Sequence, residues 1–326
     1  RIETPEGTDA LTEFLTFHDD VYASRGARWT AMVPFQLPIL AGEGPFIRDR
    51  TLCPFVARDG GKIVARVAAV VDERYQRHWN ERLGHVVMFE ALPDTRDAVR
   101  QLMDAASEWL AGKGAVAGRA GMGMLEFPFV VDETEVLPPA FMRQNPLYYQ
   151  SLLKDAGFET EQGFVDYRIA VRPDLVARWE SALEAARRAE FEIVNLKDVP
   201  EARRVKEFTS VWNETFKSHW GYTPFSEDEV AQLMSMLGPI GMLDTSIIAY
   251  RNGEPMGVLW IMPDTSFLAT CAPGRALRDV EKVNFLGIGV REAARGRGLN
   301  LAMASHAFLE FVRRGQTHLS YTLVLD

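Results

Sequence analysis

The sequence contains few cysteines, no long apolar run and no excess of basic residues. Among 326 residues, the two cysteines, Cys53 and Cys271, lie far apart, which favours a reduced environment over a disulfide-stabilised scaffold. No run of about 18 apolar residues occurs, so the sequence predicts no membrane-spanning helix. The formal net charge is -9, which disfavours a nucleic-acid-binding protein because such proteins usually carry a basic face. No charged and apolar leader follows Arg1, so we expect no signal peptide and a cytoplasmic location.

Apolar residues nevertheless make up 47% of the chain, which is enough for a substantial buried core. The length suits two domains of ordinary size better than one. No histidine has a partner at H-x-x-x-H spacing or a cysteine close by in sequence, so we predict no metal site.

The chain contains one pattern twice. Residues 55–72 and 247–264 each predict a β-hairpin around a glycine turn, and the two segments align without a gap, with Asp72 on Asp264. Each hairpin precedes a strand, an amphipathic helix and a further short strand. One helix is predicted at 95–112, capped by Thr95, and the other from Gly298 onward. Helical spacing predicts a buried apolar face in each, with Val99, Leu102, Met103, Ala106 and Leu110 in the first and Leu301, Ala304, Phe308, Phe311 and Val312 in the second. We therefore predict an α/β (α+β) chain of two similar units, residues 1–172 and 173–326.

A basic, glycine-containing turn, "ARGRGLN", precedes the second of these helices. The first turn of a helix has unpaired N–H groups and a partial positive charge, which together favour an anion. Gly296 and Gly298 allow a close backbone approach, while Arg295 and Arg297 add charge. The segment lacks the lysine of a Walker loop and the third glycine of a dinucleotide-binding loop. A solvated turn with incidental arginines is the alternative interpretation.

This turn resembles the pyrophosphate loop of the GNAT family of acyl-CoA N-acyltransferases, whose pattern is Gln/Arg-x-x-Gly-x-Gly/Ala. Arg295 takes the first position and Gly298 the fourth, whereas Asn300 departs from the small last residue. "NPLYYQSLLKDAGF" (145–158) resembles the family's helix after the fifth strand. The resemblance implies two tandem GNAT-like domains, each a mixed, mostly antiparallel twisted sheet flanked by helices. It also implies acyl-CoA or acetyl-CoA as co-substrate, with no permanently bound cofactor, on these residues: Leu286, Gly287, Ile288, Gly289, Val290, Arg295, Gly296, Arg297, Gly298, Leu299 and Asn300.

"LGIGVREAARGRGLNLAMASHAF" and "SHWGYTPFSEDE" resemble a bacterial tandem-GNAT group that includes ceramide synthases. This resemblance implies transfer of a fatty acyl group to the amine of a sphingoid base. A small-molecule amine N-acetyltransferase and a non-catalytic CoA-binding sensor are the alternatives. An acyl carrier protein in place of CoA is the alternative donor. A lipid acceptor would be compatible with peripheral membrane contact, and a homodimer is compatible with the pattern.

The first unit lacks the basic loop. Its corresponding segment, "PDTRD" (93–97), has a proline and two acids, which would repel a pyrophosphate. We therefore expect the first unit to be a degenerate copy that shapes the acceptor site.

Several residues are candidates for the chemistry. His219 is a candidate general base and Tyr321 a candidate acid for the leaving thiolate, although a packed histidine and a core tyrosine are the alternatives. Asp264 is a further catalytic candidate, but its recurrence as Asp72 favours a turn or cap. Trp220 and Tyr222 are candidates to line an apolar acceptor site, and ordinary core packing is the alternative.

The second unit ends earlier than the first. We expect "FVDYRIAV" (164–171) to close the first sheet and the strand at 317–325 to be left with an uncovered edge, an aggregation hazard. We therefore expect the second unit to be incomplete at its C-terminus. Its edge would be covered by a continuation of the chain or by a second copy, or the fold would be truncated and inactive.

Overall fold

The computed structural model describes all residues from Arg1 to Asp326. The first part of the chain contains β1 (Ile2–Glu3), α1 (Gly7–Val21), β2 (Ala27–Trp29), α2 (Val33–Leu40), β3 (Arg50–Asp59), β4 (Lys62–Asp72), α3 (Glu73–Trp79), β5 (Leu83–Ala91), α4 (Arg96–Gly112), β6 (Ala117–Ala120), α5 (Tyr149–Asp155) and β7 (Phe164–Ala170). The second part contains α6 (Pro173–Arg188), β8 (Glu192–Asn195), α7 (Glu201–Phe216), α8 (Glu227–Leu237), α9 (Met242–Thr245), β9 (Ile247–Arg251), β10 (Glu254–Met262), β11 (Ala269–Cys271), β12 (Asn284–Val290), α10 (Leu299–Arg313) and β13 (His318–Leu325).

The main strands form two mixed, mostly antiparallel sheets, as the family resemblance implies. The first has the order β1-β3-β4-β5-β6 and the second the order β7-β13-β12-β10-β9-β8. Each sheet has one parallel pair, β5–β6 and β12–β13, and antiparallel pairs elsewhere. The predicted hairpins are β3–β4 and β9–β10. Asn252 and Gly253 both have positive φ, 51° and 78°, as a tight hairpin turn of primed type requires.

The helix after each central strand packs its apolar stripe on the sheet. In α4 the buried residues are the predicted ones: Val99, Leu102, Met103, Ala106 and Leu110. In α10 the buried face includes Phe308 and Phe311 as predicted, but Leu301 and Ala304 are only half-buried. Both of these line a groove described below, which explains their partial exposure. No helix in the structure is both long and apolar enough to cross a bilayer.

The predicted cap of α4 is wrong. Thr95 has φ -104° and ψ 27°, outside the extended region that a capping side chain needs. Its hydroxyl instead donates to the Leu92 carbonyl at 2.6 Å. Thr95 therefore stabilises the turn before the helix rather than the first turn of the helix.

Strand β7 lies in the second sheet, so the prediction that it closes the first sheet is wrong. It pairs antiparallel with β13 from Ala170↔His318 to Phe164↔Leu325. The edge of β13, predicted to be uncovered, is therefore occupied by a strand of the same chain. The backbone groups of a strand edge need partners, and β7 supplies them without a second copy. A strand that precedes the predicted boundary at residue 172 therefore belongs to the sheet of the second part.

The two parts of the chain share structure elsewhere as well. β2 from the first part and β11 from the second form a separate two-stranded ribbon, with Ala27 opposite Cys271. One apolar core contains residues from both parts, including Phe14 and Val70 from the first and Phe208 and Trp260 from the second. The two parts therefore share one apolar core, and each also has a core of its own.

A buried charge cluster also joins them. Glu229, at the start of α8, is 0% exposed and accepts hydrogen bonds from Arg50 and from Arg74 of the first part. The Arg50 guanidinium also donates to Asp72 at 2.7 Å. Each charge in this cluster has an opposite partner, which offsets the cost of removing it from water.

Candidate functional site

The two parallel strands of the second sheet separate after one short stretch of pairing. β12 pairs with β13 only at Asn284↔Ser320 and Phe285↔Tyr321. Beyond Phe285, the edge of β12 over residues 286–290 has no strand partner on that side. The other edge of β12 stays paired with β10 as far as Val290↔Gly257. A shift in strand register between Trp260 and Ile261 leaves Leu286 without a partner residue on β10. A wedge-shaped opening with free backbone groups is therefore built into the sheet.

A groove of about 330 Å³ lies beside this free edge, at the start of α10. It is lined by Thr215, Ile288, Gly289, Val290, Ala294, Arg295, Gly296, Leu299 and Asn300. Most of these residues belong to the predicted donor-binding set, although Leu286, Gly287, Arg297 and Gly298 do not line the groove. Thr215 was not predicted to line the groove, because nothing in the sequence shows that the end of α7 approaches β12.

The turn before α10 presents a continuous row of free amides. The N–H groups of residues 296–301 have no hydrogen-bond acceptor in the protein. Gly296 and Gly298 have φ of 71° and 75°, a left-handed conformation that favours glycine. A Cβ at either position would meet nothing within 4 Å, so conformation rather than packing requires glycine here. Free amides and the positive end of a 15-residue helix together are chemically suited to bind an anion.

The arginines beside this row differ in their contacts. Arg291 is engaged with Glu214 at 2.9 Å and with the Pro255 carbonyl at 2.9 Å, so it ties the loop to the rest of the fold. Arg295 and Arg297 form no ion pair, and Arg295 donates only a long hydrogen bond of 3.3 Å to the Val290 carbonyl. Both guanidinium groups therefore remain free to contact an anion at the groove.

Gly287 and Gly289 lie against helix α7, and of the two only Gly289 also lines the groove. A Cβ on Gly289 would overlap the Thr215 hydroxyl, and one on Gly287 would lie 2.7 Å from the Trp212 ring. These glycines therefore allow α7 to pack closely on β12. Their resemblance to donor-binding glycines has a packing explanation in this structure.

We expect Gly289→Ala to lower the free energy of unfolding by about 1–3 kcal/mol, because the added methyl group overlaps Thr215 and α7 must shift. Urea denaturation measures this change. Gly257→Ala, in the neighbouring strand, is a useful comparison because its Cβ would meet the flexible end of Met303 at 2.7 Å. An unchanged unfolding midpoint for Gly289→Ala would show that α7 does not constrain β12.

A second, apolar compartment of about 250 Å³ adjoins the first and shares Ile288 and Asn300 with it. Its lining residues are Leu259, Phe285, Ile288, Asn300, Leu301, Ala304, Phe308 and Tyr321. Tyr321 lies where β12 and β13 separate, and burial raises the pKa of its phenol. The phenol therefore stays protonated at neutral pH and can donate a proton or a hydrogen bond. The two compartments form an elongated site with a cationic end and an apolar end.

His219, Trp220 and Tyr222 lie in one loop between the two parts of the chain. Burial lowers the pKa of His219, so its imidazole is neutral at pH 7. The Trp220 ring packs under the Arg119 guanidinium at 4.4 Å and near Phe164 of β7. The Tyr222 hydroxyl donates to Asn213 and its carbonyl accepts from a tryptophan of α3. Trp220 is thus half-exposed on the first-part side of the sheet, whereas Tyr222 is part of the buried packing.

The structure gives Asp264 a local role. Its carboxylate accepts the Ser266 N–H at 2.9 Å and caps the short turn after β10. Asp72, the corresponding residue of the first part, accepts the Tyr75 N–H at 3.0 Å at the start of α3. The shared capping role agrees with the turn-or-cap interpretation, and no contact of Asp264 with the groove is observed.

The first part has a similar separation of strands, but its free edge is closed by side chains. β5 and β6 pair only from Leu83↔Ala117 to Val86↔Ala120. Beyond that point, side chains from residues 126–149 form hydrogen bonds with the β5 backbone. Glu126 accepts from the Met88 N–H at 2.8 Å, and Arg143 donates to the Phe89 carbonyl. At Ala91, the N–H donates to the Tyr149 hydroxyl at 2.8 Å, and the carbonyl accepts from the Tyr148 hydroxyl at 2.7 Å. These bonds occupy the Met88 N–H, the Phe89 carbonyl and both backbone groups of Ala91.

Apart from Tyr149, which begins α5, the residues that close this edge belong to a long connection, residues 121–148, which we call the crossing segment. Its middle reaches the second part of the chain. The Leu137 N–H donates to Glu281 at 3.0 Å, and the Asn284 side chain donates to the Ala140 carbonyl at 3.1 Å. Asn284 also accepts from the Thr322 hydroxyl at 2.9 Å. The crossing segment is therefore anchored where β12 and β13 begin to separate.

Solved structures with the same fold cover the whole chain. A tandem GNAT protein from the clavulanic acid biosynthesis pathway matches 99% of this chain and 90% of its own, with a TM-score of 0.55 and 10% identity. A GCN5-related N-acetyltransferase from Sphaerobacter thermophilus matches 99% and 86%, with a TM-score of 0.51 and 13% identity. A glucosamine N-acetyltransferase region of a fungal multi-domain β-N-acetylglucosaminidase matches 99% of this chain and 35% of that chain, with a TM-score of 0.57 and 18% identity. The chain has the tandem GNAT fold, as its resemblance implied.

Sequence comparison is consistent with this fold. No protein-family model matches the chain. It is 24% identical over 242 residues to a bacterial ceramide synthase from Caulobacter vibrioides, covering 72% of this chain and 62% of that protein. It is 23% identical over 216 residues to protein YghO from Escherichia coli, covering 64% and 54%. The aligned region spans less than two thirds of each of these relatives.

Proposed function

We propose that the protein is an N-acyltransferase that moves an acyl group from a CoA thioester to a primary amine. The observation that carries the proposal is the row of free amides at residues 296–301, with Arg295 and Arg297 beside it, at the mouth of the opening between β12 and β13. The pyrophosphate of CoA would bind these amides and guanidinium groups. The pantetheine arm would pair with the free edge of β12 at residues 286–290, as an added strand does.

The geometry suits direct attack of an amine on the thioester. The free N–H groups of the β12 edge offer a donor to the thioester oxygen as negative charge develops there. The amine nitrogen forms a C–N bond and the C–S bond breaks, which releases the thiolate. Tyr321, kept protonated by burial, supplies the proton to that thiolate. His219, kept neutral by burial, is the candidate base for the proton released by the amine.

The acceptor amine would approach from the face of the second sheet that is turned toward the first part of the chain. Trp220, β7 and the crossing segment border that face, and β7 and the crossing segment come from the first part. We infer that the first part is a degenerate copy that shapes the acceptor site. Closure of the β5 edge by its own side chains supports one donor site per chain.

The finer proposal is a fatty acyl donor and a sphingoid-base acceptor. It rests on the similarity to the Caulobacter vibrioides ceramide synthase and on the apolar compartment behind the anion site. Such an acceptor is a lipid, and the protein would then meet its substrate at a membrane surface.

Calorimetric titration followed by a thiol-release assay tests the proposal. We expect palmitoyl-CoA to bind with a stoichiometry of about one per chain and to release free thiol when sphinganine is added. Turnover of acetyl-CoA with small amines alone would favour a small-molecule acetyltransferase instead. Binding without turnover would favour a CoA sensor. If thiol is released only when the acyl group is supplied as an acyl carrier protein thioester, that carrier protein and not CoA is the donor. Failure to bind any CoA ester would contradict the anion-site assignment.

A further inference from the structure

One carboxylate beside the separated strands is left out of the mechanism above. Asp166 lies on β7, opposite the irregularity between Tyr321 and Val324 of β13. Its Oδ1 accepts the Leu323 N–H at 3.0 Å. Leu323 has φ 61°, a conformation that few non-glycine residues adopt. The hydrogen bond to Asp166 therefore holds a strained residue two positions beyond Tyr321.

The neighbours of Asp166 show which way its side chain faces. Alternate residues of a strand share one face, so Phe164, Asp166 and Arg168 point to the same side of β7. Phe164 packs against Trp220, and Arg168 pairs with Glu133 of the crossing segment at 2.5 Å. Asp166 therefore faces the space between Trp220 and the crossing segment, which is the acceptor side of the opening.

The charge of Asp166 is not neutralised within the protein. It forms no ion pair, because the nearest cation on its own strand, Arg168, is engaged with Glu133. The facing charged groups are Arg168 on β7 and Asp132 on the crossing segment, while β13 contributes the Leu323 N–H. Partial burial, reinforced by Asp132, raises the pKa of the Asp166 carboxyl above its ordinary value. The side chain nevertheless remains open to solvent, as expected of a group on a cleft wall.

We propose that Asp166 binds the ammonium group of the acceptor and holds its nitrogen next to the thioester. This inference rests on the proposed function, since it assigns a residue to the acceptor of the same reaction. Oδ1 is held by the Leu323 N–H, and Oδ2 is free to accept from a cationic donor. The carboxylate favours a positively charged acceptor over a neutral one of the same shape. The first part of the chain thus contributes a substrate-binding residue to the second sheet.

Asp166→Asn separates this role from a purely structural one. The asparagine side-chain oxygen still accepts the Leu323 N–H, so the β13 irregularity is preserved while the charge is lost. We expect kcat/KM for sphinganine, dodecylamine and spermidine, whichever the wild type accepts, to fall about 10- to 100-fold. The KM for the acyl-CoA donor should stay the same. O-dodecylhydroxylamine, which is uncharged at pH 7.5, should be affected less than threefold.

The matched control is Asp174→Asn, which removes an exposed negative charge at the start of α6, where Asp174 pairs with Arg172, and should change these rates less than threefold. Asp166→Ala should in addition lower the unfolding temperature, because the Leu323 N–H loses its acceptor. Equal losses for charged and uncharged acceptors, or an unchanged kcat/KM in Asp166→Asn, would overturn the assignment while leaving the acyltransferase proposal intact. A wild-type protein that transfers to none of these acceptors would overturn both.

Discussion

Gly298→Asp is expected to weaken CoA binding by about 100-fold, equivalent to about 3 kcal/mol. The Gly298 backbone has φ 75° at the N-terminus of α10, within the row of free amides at 296–301. An aspartate there places a carboxylate where the pyrophosphate would bind, so it repels the ligand and competes for the same N–H groups. Isothermal titration with CoA at fixed ionic strength measures the loss.

Gly298→Asn is the matched control, because asparagine has the same shape and tolerates the left-handed conformation about as well, but has no charge. It should lose about tenfold less affinity than the aspartate variant. Arg295→Ala should lose about tenfold from the wild type through one missing charge-assisted contact. Asp94→Ala, in the corresponding turn of the first part, should leave CoA affinity unchanged. If Gly298→Asp binds CoA within threefold of the wild type, the anion does not bind at this turn.

Glu229→Ala is expected to lower the free energy of unfolding by about 3–5 kcal/mol. The substitution leaves Arg50, whose side chain is 4% exposed, and Arg74 without their shared carboxylate between the two parts of the chain. It also removes the capping interaction in which Glu229 accepts the Ser226 N–H at 2.7 Å. Urea denaturation, followed by tryptophan fluorescence, measures the change.

Asp228→Ala is the comparison variant, one position earlier in the same helix. Asp228 pairs with Arg48 at the surface, where both side chains are more than half exposed, so its loss should cost less than about 1 kcal/mol. If the two variants unfold at the same urea concentration, the buried cluster does not stabilise the contact between the two parts. A second unfolding transition in Glu229→Ala would indicate instead that the two parts separate before they unfold.

The sequence alone was enough to predict features that depend on neighbouring residues. The Asn252–Gly253 turn and the apolar stripe of α4 follow from local periodicity and turn chemistry, and the structure confirms both. The basic turn at residues 295–298 was identified because glycine and arginine have local meaning at a helix start. The duplication of the unit could be predicted for the same reason, since both copies preserve the same local pattern of hairpin, strand, helix and strand.

Only the tertiary structure decided where β7 is placed, what Gly289 contacts and which residues close the β5 edge. Strand pairing depends on distant backbone, so nothing within "FVDYRIAV" distinguishes the first sheet from the second. The predicted cap at Thr95 failed for a related reason, because the turn before α4 offers the Leu92 carbonyl as a closer partner. Asp166 carries no local signal at all, and its importance comes from facing Leu323, a residue more than 150 positions away. Local order is encoded in neighbouring residues, whereas the acceptor side of the site arises from contacts between the two parts of the chain.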